Sequence, residues 1–371
     1  MFLKELNIDQ LEKHFGNQTA SSNMTVMMMV AEEELFFINE VIEFFNYRGI
    51  HIFGAIFPGL IYNGIHKDHG AIITTLSTAC KPILCDLSKP CQFPVQPEIR
   101  EVSENLQTGF VFFDGLSRDV KRFLSGLYLH YGTSVKYIGG GAGTSDYLQK
   151  PCIFTNTGLF QDAAVFCLAN QNITVRSRHG WDVLKGPYLV TGSEKNRVKT
   201  INWQAASQVY MGALREQNIK VDAETIYEIA PKYPLGIYME GHEFILRDPF
   251  QATRANELIC IGEVPENTAI YILQADKQSL LYASQKATQD MLIEESNAKT
   301  SFNFISYSRS IFLGDEFSRE INETYYLLKK SNTHMINKGA MTFGEIASLP
   351  SGFMELFNKS FVTGALHEST N

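Results

Sequence analysis

The chain has 371 residues, 44% of them hydrophobic and 19% charged. That is too long for one ordinary core and too apolar for a disordered chain, so about two globular domains are expected. A formal net charge of -8, with no Lys/Arg-rich run, argues against a nucleic-acid binder, which needs a basic face to neutralise phosphates.

In chain order, residues 1–23 read as a polar lead-in. Residues 30–47 form an amphipathic helix, with Leu35, Ile38, Val41, Ile42 and Phe45 at helical spacing and Gly49 ending it. Strands are expected at 50–57 and 71–76, and a proline-rich surface loop over 80–97. A helix at 98–106, a strand at 109–113 and a helix at 119–131 follow. The strand 135–138 then runs into Gly139-Gly140-Gly141-Ala142-Gly143, and 152–155 and 163–168 continue the sheet. After a helix at 204–216, the pattern gives strands at 235–239, 243–246, 258–261 and 269–273 and a helix at 280–292. A strand at 302–306, a helix at 317–329, a strand at 334–338 and two strands around Gly344 and Phe361 close the chain. The order strand, helix, strand recurs: Phe110-Val111-Phe112-Phe113 leads to the glycine run, and Phe302-Asn303-Phe304-Ile305 leads to Lys338-Gly339-Ala340. An internal duplication would make two related units, so the expected class is α+β, with two packed sheet-and-helix units.

The apolar runs fall short of the roughly 20 residues a membrane helix needs, and the opening MFLKELNIDQ has no stretch of signal-peptide character. A cytoplasmic protein without a membrane segment is expected. Its cysteines, Cys80, Cys85, Cys91, Cys152, Cys167 and Cys260, are then expected as free thiols.

The glycine run is neither a Walker A loop, since Thr144-Ser145-Asp146 follows it, nor a dinucleotide fingerprint, since no helix follows. It reads as a close backbone crossing, which can also line a pocket. No Gly-x-Ser-x-Gly elbow or His-Glu-x-x-His is present, so no enzyme is expected. His66 and His69 precede Cys80, Cys85 and Cys91, but the cysteine spacings suit structural zinc poorly. In Arg176-Ser177-Arg178-His179-Gly180-Trp181, one imidazole offers an axial ligand for haem iron, two arginines suit its propionates and a tryptophan gives an apolar wall. Taken alone, a hydrogen-bonded histidine at a strand end is the more economical reading, because lone histidines are common and ligands rare.

Several motifs together resemble one family. Gly139 to Gly143, His179-Gly180-Trp181 with Val190-Thr191, Pro234-Leu235-Gly236-Ile237, Leu246-Arg247-Asp248-Pro249, Ile261-Gly262-Glu263-Val264-Pro265 and Thr342-Phe343-Gly344-Glu345-Ile346 resemble FIST proteins over about residues 25–365. Asn202-Trp203-Gln204-Ala205-Ala206 departs from the pattern, lacking the Asp and Pro expected where the C-terminal part begins. The resemblance implies a lead-in over 1–24, an N-type sensory domain over 25–200 and a C-type domain over 201–371. Lys150-Pro151-Cys152, Gln161-Asp162-Ala163-Ala164 and Arg178-His179-Gly180-Trp181 look most like the haem-containing, nitric-oxide-sensing branch. That branch implies haem b with His179 on the iron, Arg176, Arg178 and Trp181 around it, and nitric oxide as the signal. It also implies a partner sensor histidine kinase or cyclic-di-GMP synthase or phosphodiesterase, and leaves a homodimer open. The alternative is a haem-free sensor for a small metabolite such as an amino acid, with Arg247 and Asp248 as carboxylate and ammonium partners.

Overall fold

The computed structural model describes residues 1–16, 24–78, 81–93, 107–239, 242–295 and 298–367. The chain divides into two compact units: residues 1–178 with 284–371, and residues 179–283. Sheets and helices mix throughout, and the α+β class holds.

Three parallel strand pairs build the first unit. Met24–Ala31 pairs with His51–Phe57 across the helix Ile38–Tyr47, and Gln107–Asp114 with Val135–Ala142 across Val120–Tyr131. Thr300–Ser306 pairs with Ile336–Thr342 across Tyr307–Leu313 and Phe317–Ser331. Such pairs are covered on both faces, which explains apolar runs like Val26 to Val30 in which every residue is buried. Each pair lies in the middle of a six-stranded sheet of one common plan. Its leading strand is flanked by an antiparallel strand of the same repeat, namely Ala71–Ser77, Ala163–Ala169 and Phe361–Leu366. Its trailing strand is flanked by a hairpin that follows the parallel pair of a different repeat. The hairpin after the first pair joins the third sheet, that after the second joins the first, and that after the third joins the second. The outer edges are Phe2–Leu3, Ile83–Asp86 and Ile173–Arg178.

The expected duplication is therefore a threefold repetition inside the first unit, and both sequence copies belong to it. Gly54, Gly139 and Gly339 mark the same place in the three repeats, opposite Met28, Val111 and Asn303. A Cβ on any of them would run into the carbonyl oxygen of that partner, so only glycine lets the strands pass. Gly139 to Ala142 thus extend the strand Val135–Ala142, and the run makes the close backbone crossing its glycines indicate.

Several local expectations are corrected. Val30 and Ala31 end a strand, and a 3-10 turn, Glu32–Phe37, precedes the helix Ile38–Tyr47. Residues 1–23 hold more than a lead-in: the helix Ile8–Phe15 is capped by Asn7, whose Oδ1 accepts the Gln10 N–H at 3.0 Å, and it buries Leu11 and Phe15. The proline-rich stretch contains the strand Ile83–Asp86. Cys85 and Cys91 are not free thiols but a disulfide, with Cα atoms 5.4 Å apart. A turn after that strand brings the two cysteines within bridging distance, so the cysteines give no argument for a reducing compartment. Cys152 and Cys260 are free thiols, and Cys167 is buried as they are. Cys80 and the helix expected at 98–106 lie outside the described residues. No helix among the described residues is long and apolar enough to cross a membrane.

The second unit is an antiparallel sheet. Its strands run in the order Ile245–Arg247, Leu235–Ile237, Ala269–Gln274, Asp182–Glu194, Arg197–Ile201, Leu258–Cys260 and Pro249–Ala252. The helix Ala206–Glu216 contributes Tyr210 and Leu214 to a core with Val190, Val198, Leu235, Leu258 and Ile270.

Candidate functional site

His179 begins the second unit, and both it and Trp181 are buried. Gly180 has φ +83, and a Cβ there would come within 2.8 Å of the Ser279 carbonyl oxygen, so glycine makes the turn. The turn folds the Trp181 N–H back onto His179 Nδ1 at 2.8 Å. The His179 N–H donates to Glu243 Oε2 at 2.8 Å, and His179 Nε2 stands 3.6 Å from the same oxygen. Phe244 lies 6.4 Å from the imidazole, centre to centre.

These contacts do not fit an axial haem ligand. A ligating imidazole presents one bare nitrogen to iron while its other ring N–H donates to a neighbour. Here Nδ1 accepts a backbone N–H, so the ring proton belongs on Nε2, facing a carboxylate. The arginines are likewise engaged. Arg176 and Arg178 lie on Ile173–Arg178 in the first unit, where Arg176 pairs with Glu294 and Arg178 Nη2 donates to Asp290 Oδ2 at 2.9 Å. Asp290 and Glu294 are one helical turn apart on Lys277–Glu294, so the two arginines clamp strand to helix.

Arg247 and Asp248 are both buried in the second unit. The Arg247 guanidinium donates to the carbonyls of Glu263 at 3.1 Å and Leu246 at 2.8 Å, and its stem covers Gly262. That anchors a loop and does not form a carboxylate receptor. His66 Nε2 lies 3.4 Å from Asp68, and His69 Nδ1 lies 4.0 Å from Glu34. Among the described residues no group of three or more His, Cys, Asp or Glu side chains is placed to hold a metal ion.

The third repeat holds what the motif reading missed. In the second repeat the layer between sheet and helix is apolar, with Val111, Tyr137 and Phe166 packed against Phe123, Leu124 and Leu127. The strand registers place Met28, Ile52 and Ile73 at the matching positions of the first repeat. In the third repeat the same positions carry Asn303, Asn337 and Thr363, all buried. Thr363 Oγ1 donates to Asn303 Oδ1 at 2.9 Å, and Asn337 Nδ2 donates to Ser301 Oγ at 3.0 Å. The helices continue the polarity, with Ser284, Thr288, Glu320 and Thr324 fully buried.

At the C-terminal ends of this third pair, Arg309 directs Nε and Nη2 to Glu320 Oε1 at 3.0 and 2.8 Å, with both side chains fully buried. Glu345 accepts from Thr342 Oγ1 at 2.9 Å and from the Ser360 N–H at 3.1 Å. Burial pushes its carboxyl up to about 8, against the pull of those bonds and of the Arg309 guanidinium. The signal in the sequence was a polar residue inside an otherwise apolar strand, as in Phe302-Asn303-Phe304.

Comparison with known families places these elements. A FIST N domain matches residues 29–204 and a FIST C domain matches residues 206–348. No curated protein matches the chain. FIST domains are sensory signal-transduction domains, and with the two matches together spanning most of its length, this chain belongs to the FIST family.

Proposed function

We propose that the chain is a haem-free sensory protein whose signal is a small polar metabolite, an amino acid being the simplest case. It binds in the polar interior of the third repeat. The signal passes to a separate output protein, such as a sensor histidine kinase or a cyclic-di-GMP enzyme, and the chain carries out no chemistry of its own.

One observation carries this reading. The same scaffold is built three times, and in two of the three repeats the helix-facing layer is apolar. The fold therefore does not need Asn303, Asn337 and Thr363 there. These amides and hydroxyls bond to one another and to Ser301, and their placement in the one repeat that departs from the apolar plan supports a polar guest.

Melting curves of the full chain with a panel of amino acids and related metabolites test the reading. A ligand at a hundredfold its Kd adds about 2.7 kcal/mol of stability, a shift of several degrees. In Asn303→Val/Thr363→Val, which removes both partners of one hydrogen bond, that shift disappears while the fold remains. A panel without effect, or a double variant that responds as the parent does, argues against it. The haem-based nitric-oxide reading ranks second because of the Trp181-to-His179 hydrogen bond. A Soret band that appears on haem addition and is lost in His179→Ala would reverse that order.

A further inference from the structure

We infer that the Arg309, Glu320 and Glu345 cluster, at the C-terminal ends of the third parallel pair, binds the ammonium group of an organic amine. The inference rests on the metabolite reading above and gives the ligand its chemistry.

Glu320 is the starting point. Both bonds from Arg309 go to Oε1, while Oε2 is buried and accepts no hydrogen bond. A carboxylate oxygen in that state calls for a donor. Arg309 is already committed to Oε1 and, through Nη1, to the Lys359 carbonyl at 3.2 Å. A donor on a bound guest would complete that oxygen's hydrogen bonding. An anion would meet the Glu320 carboxylate unfavourably. A hard dication would need more oxygen ligands than the cluster supplies, and no group of three or more His, Cys, Asp or Glu side chains among the described residues is placed for one. An ammonium group brings three donors on one centre.

Aromatic rings stand on the segments that carry Arg309 and Glu345. Tyr307 stands two residues before Arg309, and Phe343 two residues before Glu345. With Tyr147 they form a triangle of rings whose centroids are 5.4–5.9 Å apart, and Tyr147 is half exposed. Aromatic faces attract the positive carbons next to an ammonium nitrogen. The ends of parallel strands are also where ligands enter such sheets. The charges facing the cluster are Arg309 from Tyr307–Leu313, Glu320 from Phe317–Ser331 and Glu345 from Glu345–Ser348. Glu345 holds its proton at neutral pH, so an arriving cation favours its ionisation and drives that proton out.

Calorimetric titration of the full chain tests the assignment. The probes are ethanolamine, putrescine and a set of amino acids, each set against its hydroxyl counterpart: ethylene glycol, 1,4-butanediol and the matching 2-hydroxy acids. Amines are expected to bind at least tenfold tighter than their hydroxyl partners, and Glu320→Gln to remove that preference. Binding is expected to tighten as pH rises from 6 to 8, with proton release seen as a heat that depends on the buffer. Glu345→Gln is expected to abolish that pH dependence, and it carries the test if Glu320→Gln fails to fold. Equal binding of amines and hydroxyl partners overturns the ammonium site and leaves the metabolite reading standing. Binding of no probe by a chain that other metabolites stabilise does the same. A chain stabilised by no metabolite at all overturns both.

Discussion

Burial of Glu345 makes stability depend on pH in the direction opposite to that of a salt-bridged carboxylate. Its carboxyl keeps its proton up to about 8 in the folded chain, against an ordinary value of 4.5. Between those values the unfolded chain binds fewer protons than the folded one. The stabilising contribution is therefore complete below pH 4.5 and declines as pH rises through about 8. Each pH unit in that window is worth about 1.4 kcal/mol, so the whole interval amounts to at most about 5 kcal/mol. In Glu345→Gln the side chain still accepts the Ser360 N–H and does not ionise, so the variant gains on the parent by up to about 1.4 kcal/mol per pH unit. Urea unfolding of both chains at intervals from pH 5 to 8 measures the difference. Lys338, held at about 8 by burial, acts above that range and in the other direction. Two stability curves that run parallel from pH 5 to 8 would refute the reasoning.

Other perturbations follow from the same contacts. Arg309→Leu leaves Glu320 buried without its partner and should lose about 3–5 kcal/mol, while Arg309→Leu/Glu320→Leu recovers most of it; chemical denaturation of the three chains compares them. Gly139→Ala drives a methyl into the Val111 carbonyl and should lower the denaturation midpoint by at least about 2 kcal/mol equivalent, whereas Gly212→Ala, where nothing lies within 4 Å, changes little. Gly180→Ala should cost about 1–3 kcal/mol through its φ of +83 and the Ser279 carbonyl, seen as a lower melting temperature.

Much of the architecture was legible. Apolar runs and amphipathic spacing gave most strands and helices, and short motifs gave the family. The third copy of the repeat was not visible, because Met24–Ala31 and His51–Phe57 share little sequence with their counterparts beyond one glycine. Only strand register shows that Gly54, Gly139 and Gly339 are equivalent. The exchange of hairpins among the sheets was equally hidden, since pairings such as Leu60–Tyr62 with Ile336–Thr342 join distant parts of the chain. At the candidate site, the motif around His179 drew attention because it gathers unusual residue types. Yet its arginines serve Asp290 and Glu294, and its imidazole serves a turn. Asn303, Asn337 and Thr363 drew none, because single polar residues in strands become informative only once the same positions in sister repeats are known to be apolar.

Hydrogen exchange with and without a stabilising metabolite tests the central claim most directly. The account predicts slower exchange in Thr300–Ser306, Phe317–Ser331 and Ile336–Thr342, the elements that carry Asn303, Glu320 and Asn337. Protection confined to the turn around His179, with the third repeat unchanged, would contradict it.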